Sequence, residues 1–107
     1  MTLRTSNFRI SGKNPNAVAI SAGVPGWFRG RRCWTLTPPW RIVRGPREDA
    51  ERWWLERLAA LDPHQVAREL GDHAILLCWE DPGKFCHRHL VANWLRKSGF
   101  EVSEIVE

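Results

Sequence analysis

The run Ala74-Ile75-Leu76-Leu77-Cys78-Trp79 is apolar without a break and has the length of one strand, bounded by turn-forming residues, which suits a central strand covered on both faces. Ala17-Val18-Ala19-Ile20-Ser21 reads as a second short buried strand. Leu3 to Ile10 alternates weakly and predicts an edge strand, and Phe100 to Val106 a last strand. Apolar residues at Ala50, Trp53, Trp54, Leu58 and Leu61 recur at helical spacing behind Pro46 and the acidic pair Glu48 and Asp49, which suit the positive end of a helix. Asp62 and Pro63 restart the chain as N-cap and first helical residue, with Val66, Ala67 and Leu70 on the inner face and Gly71 as the stop. Leu90, Val91, Trp94 and Leu95 mark a final helix that stops at Gly99.

Strand, strand, loop, helices, central strand, helix, strand is the order of an α/β layer domain. The expectation is one small domain over residues 1–107, with a short, mainly parallel central sheet flanked by helices. A chain of 107 residues buries enough apolar surface to fold without staples. The segment from Gly23 to Pro46 fits least well, with four glycines, four prolines, three tryptophans and the basic run Arg29-Gly30-Arg31-Arg32. Loops of this length in compact domains are usually functional or disordered, and the aromatic content argues against disorder. Trp40 to Val43 is expected to add a short extended piece.

Charge sharpens the picture of that loop. Thirteen arginines stand against three lysines in a net charge of +4. Arginine serves planar contact with phosphate and stacking on aromatic rings, although a GC-rich gene gives the same excess. Seven tryptophans without a tyrosine exceed what a core this size needs, so three or four should be structural and the others partly exposed. The expected partner is a nucleic acid or nucleotide. No apolar run approaches the roughly 18 residues of a membrane span, so no membrane partner is expected. An odd count of three cysteines with no signal-peptide pattern reads as cytoplasmic and reduced, with Cys33, Cys78 and Cys86 as thiols, thiolates or metal ligands and not a disulfide framework.

Candidate chemistry concentrates from Cys78 to Arg88, where the buried strand hands over to the last helix. Ligands of open α/β sheets bind beyond the carboxyl ends of the strands. There Cys86, among the free amides of a helix start, is placed for a lowered pKa, with Arg88 and protonated His87 acting in the same direction. Glu80 is the candidate acid or base, or alternatively the partner of Arg88 in a structural ion pair. Cys78 reads as a small buried hydrophobe. The spacing of Cys78, Cys86, His87 and His89 misses the usual zinc patterns, so neither metal nor cofactor is expected.

Leu76-Leu77-Cys78-Trp79-Glu80 with Phe85-Cys86-His87-Arg88-His89-Leu90-Val91-Ala92 resembles the signature of a bacterial and phage family, the domain of unknown function 488 group. Ile20 to Arg32 and Leu36-Thr37-Pro38-Pro39-Trp40 resemble a short form of that family's basic loop, so the likeness covers roughly residues 17–95. It implies an α/β fold and a pocket where the loop meets the Cys-His-Arg motif, but brings no established reaction.

Two functional expectations stand side by side. One is a small enzyme-like domain acting on a nucleotide, nucleic acid or other phosphorylated substrate. Cys86, Glu80, Arg88 and His87 would be catalytic, and Ser21, Trp27, Arg29, Arg31, Arg32 and Trp34 would bind substrate. The other is a non-catalytic module that binds nucleic acid or protein through the Arg/Trp loop, with the junction as a structural latch.

Overall fold

A computed structural model of the chain describes residues 1–80 and 86–106. Five strands, β1 (Thr2–Asn7), β2 (Ala17–Ala19), β3 (Arg31–Arg32), β4 (Ile75–Cys78) and β5 (Glu101–Glu104), form one sheet in the order β3-β2-β4-β1-β5. Every pairing is parallel. The helices are α1 (Phe8–Ser11), α2 (Trp40–Val43), α3 (Arg47–Ala59), α4 (Pro63–Leu70) and α5 (His87–Lys97). The expected α/β domain with a small parallel sheet is therefore present, and β4 is its central strand.

The two faces of the sheet are covered differently. On one, Leu3, Val18, Leu76 and Val102 pack against Trp54 and Leu58 of α3, Val66 and Leu70 of α4, and Val91 and Leu95 of α5. On the other, Ala17, Ala19, Ile75 and Leu77 meet only Phe8 of α1 and Phe28 of the long loop among the buried residues. The alternation along β4 puts its neighbours on opposite faces, so a continuous apolar run is required there. The helix-poor second face is thinner and is closed by aromatic rings, with Phe8 edge-on to Phe28 at 5.3 Å and tilted against Trp79 at 4.9 Å.

Two expectations are corrected. β1 is not an edge strand but lies between β4 and β5. Its weak alternation has a polar cause: Thr5, Ser6 and Asn7 are buried, and each is hydrogen-bonded, Ser6 to the Ser11 hydroxyl at 2.7 Å. Trp40–Val43 is a helical turn and not extended, because the Pro39 carbonyl accepts from the amides of Ile42 and Val43 at 3.0 and 3.2 Å. The starts of α3 and α4 follow their sequence signals. Glu48 and Asp49 occupy the first turn of α3, and the Asp62 carboxylate caps the amide of His64 at 3.0 Å.

Candidate functional site

At the carboxyl end of β4 the chain places Cys78, and the N-cap of α5 is Cys86. The two sulfurs are joined in a disulfide, with Cα atoms 7.2 Å apart. This corrects the expectation of separate thiols and of Cys78 as a mere apolar filler. A parallel strand and the helix that follows it bring the strand's end beneath the helix's first turn, where an inward sulfur from each meets the other. Cys33 is the free cysteine among the described residues; burial, reinforced by the neighbouring Glu69 carboxylate, pushes its thiol up to about 11.

Arg88, in the first turn of α5, is fully buried. Its Nε and Nη2 donate to the Glu104 carboxylate of β5 at 3.1 and 2.8 Å, and its Nη1 reaches the Cys78 sulfur at 3.2 Å. The Thr5 hydroxyl donates to the same carboxylate. Burial alone would raise the Glu104 carboxyl, but the hydrogen bonds from Arg88 and Thr5, with the charge of Arg88, outweigh it and hold the group below its ordinary range. Arg88 is thus paired with Glu104, not with Glu80, and its charge is already answered inside the protein. Residues 16 apart and on different elements left no local signal of this pair.

The other junction residues point elsewhere. The Glu80 side chain is exposed, while its carbonyl accepts from the Asn7 amide at 3.2 Å. Asn7 also caps α1 through the amide of Ile10 at 2.8 Å. His87 stacks on Trp54 of α3, with ring centres 5.4 Å apart. Burial and then the charge of Arg47 lower its pKa, with Glu51 acting in the opposite direction. Cys86 and Arg88 therefore face inward, His87 faces α3 and Glu80 faces solvent. The expected turn at Asp81-Pro82-Gly83 lies outside the described residues. Among the described residues, no group of three or more His, Cys, Asp and Glu side chains could hold a metal ion.

The basic loop is divided among three places. Arg31 donates to the Leu70 carbonyl at 2.6 Å and ties β3 to α4. Arg32 donates to the carbonyls of Ser21 and Ala22 at 3.1 and 2.8 Å and lies 4.1 Å over the exposed Trp34 ring. The Ser21 hydroxyl is turned to the Gly23 carbonyl at 2.6 Å, which also accepts from the Trp79 indole at 3.0 Å. Arg29 donates to the carbonyls of Gly26 and Phe28 and remains exposed beside Trp27.

Around Trp27 the second face opens into two adjoining cavities. One, of about 420 Å³, is lined by Lys13, Asn14, Trp27 and Arg29 among others. The other, of about 400 Å³, is lined by Phe8, Arg9, Ile10, Lys13 and Trp27. The Lys13 ammonium sits 5.8 Å from the centre of the Trp27 indole. Among the described residues, no acidic side chain lines either cavity. Arg9 and Lys13 were not singled out from sequence. They flank a turn whose composition announces only a turn, and it is the return of the later loop that lays Trp27 against it.

These features define a small α/β domain with a five-stranded parallel sheet, a buried disulfide–arginine junction on its helical side and a basic, aromatic recess on the other. Comparison with protein-family models, with curated proteins and with solved structures returned no match. No helix of the described residues is long and apolar enough to cross a membrane.

Proposed function

We propose that the domain is a non-catalytic module that binds single-stranded nucleic acid across the Trp27 recess. The observation that carries this reading is the half-open Trp27 ring, set between two cavities with Lys13 and Arg29 in their lining and, among the described residues, no acidic side chain. An unpaired base stacks on an indole face whatever its sequence, at about 1–3 kcal/mol per base, while the cations follow the phosphates. A duplex hides its base faces and offers no such stacking. The Trp34–Arg32 and Trp40–Arg44 pairs, with the guanidiniums 4.1 and 5.0 Å over exposed rings, repeat the same pairing of cation and indole.

The enzyme-like reading asks for an open nucleophile beside an unengaged guanidinium. Cys86 is bonded to Cys78 and Arg88 is held by Glu104, so the geometry favours binding. The likeness to the domain of unknown function 488 group is compatible with either role.

Fluorescence anisotropy of a labelled oligothymidylate tests the proposal. Binding is expected to weaken with salt, with a slope in log–log form of about −0.7 for each phosphate neutralised. Trp27→Ala should weaken it by about tenfold or more, in line with the loss of one stacked base. Lys13→Gln with Arg29→Gln should flatten the salt slope. No binding at low ionic strength, or binding that Trp27→Ala leaves unchanged, rejects the reading.

A further inference from the structure

Of the disulfide's two sulfurs, only Cys78 is reached by a buried cation among the described residues: Arg88 Nη1 lies 3.2 Å from it, while the guanidinium's other two nitrogens are committed to Glu104. Cys86 caps α5 without any side-chain hydrogen bond to the helix. Packing of a half-cystine requires no donor aimed at its sulfur. A donor there favours the charged form, so it makes Cys78 the better leaving group when the bond is opened.

We propose that Cys78 and Cys86 are a redox-active pair that exchanges with low-molecular-weight thiols, with Cys86 the sulfur attacked and Cys78 the sulfur that departs toward Arg88. Both half-cystines are buried, so an external thiolate reaches Cys86 Sγ on local opening at the start of α5; it bonds there, the Cys78–Cys86 bond breaks, and its electron pair leaves on Cys78 as a thiolate. A second external thiol then attacks the external sulfur of the mixed disulfide and releases Cys86. The protein gains two electrons, and two external thiols become one external disulfide. The protons they shed go to Cys86 and, as far as Cys78 stays ionised, to solvent. In the reverse direction the Cys78 thiolate attacks the Cys86 mixed disulfide. The reaction is independent of nucleic-acid binding and uses no residue of the Trp27 recess.

The test equilibrates the folded full chain with glutathione buffers of graded reduced-to-oxidised ratio, quenches with acid, alkylates free thiols and counts them by mass, site by site. The pair is expected to pass from closed to open within the graded series while Cys33 remains a thiol throughout. A pair that stays closed in excess reduced glutathione, or stays open in oxidised glutathione, overturns the proposal.

Two variants test the role of Arg88. Arg88→Gln removes the donor and should move the midpoint about tenfold toward the closed form, the worth of one charge-assisted hydrogen bond. Glu104→Gln removes the opposing carboxylate and should move it the other way. A merely structural role would not shift the two variants in opposite directions, so shifts of one sign reject Arg88's part. If Arg88→Gln does not fold, Glu104→Gln decides alone: a midpoint that is unmoved, or moved toward the closed form, rejects it.

Discussion

Arg88 and Glu104 form a forked ion pair between α5 and β5, at 2.8 and 3.1 Å, in which the guanidinium is wholly buried and the carboxylate side chain is 19% exposed. Removing one partner leaves the other charge without an answer. Arg88→Met or Glu104→Ala should therefore cost about 3–5 kcal/mol, whereas Arg88→Met with Glu104→Leu together should recover most of the loss. Urea unfolding of the three variants measures this. A double variant as unstable as the worse single one would show that Thr5 and Cys78, and not the pair itself, dominate the energetics.

The same pair makes stability depend on acid. Glu104 titrates below its ordinary value of 4.5 in the folded protein, because the Arg88 and Thr5 hydrogen bonds overcome the effect of burial. A carboxyl depressed on folding contributes stability that is complete above its unfolded value and is lost as pH falls through the lower folded one. The unfolding free energy should decline as pH is lowered below about 4.5, and Glu104→Gln should decline less steeply in that window. Equal slopes for both proteins would exclude Glu104 as the source.

His87 acts through the opposite charge state but with the same sign. Its neutral ring is stacked on Trp54, and burial, aided by Arg47, holds its pKa below 6.5 when folded. Below 6.5 the unfolded chain takes up a proton that the folded one still refuses, so stability falls with pH until the folded ring is itself protonated. A proton NMR titration of the ring should give a midpoint under 6.5, and a midpoint at or above that value contradicts the stacked, neutral imidazole.

The longer helices and the central strand were legible because each is signalled locally. Asp62-Pro63, the acidic turn after Pro46 and the apolar run at Ile75 to Cys78 all declare themselves within a few residues. Strand order is different. Nothing local to Thr5, Ser6 and Asn7 says that they lie between two neighbours, since burial of polar side chains depends on partners supplied by Glu104, Ser11 and Glu80. The candidate site was half legible for the same reason. Nearness in sequence suggested Glu80 for Arg88, but folding supplies Glu104; the two cysteines were noticed, but their pairing follows from how strand and helix meet. The basic run was visible, but only the folded loop separates Arg29, at the recess, from Arg31, spent on holding α4.

Gly12 gives a direct handle on the recess. A Cβ built there would fall on the Phe8 carbonyl, which accepts the Gly12 amide at 2.9 Å to close α1, and on the outer atoms of the Trp27 ring. The Gly12 backbone is already helical, with φ of −64°, so alanine meets no torsional strain, and reduced freedom of the unfolded chain returns about 0.4–1 kcal/mol. The steric cost is larger, about 1–3 kcal/mol for overpacking, because the carbonyl belongs to rigid backbone even if the indole swings away. Gly12→Ala should therefore be net destabilising in urea unfolding. It should also weaken oligothymidylate binding, because the ring that moves is the one on which a base is proposed to stack. Lowered stability with unchanged affinity would separate the two effects and place the stacking surface elsewhere than on Trp27.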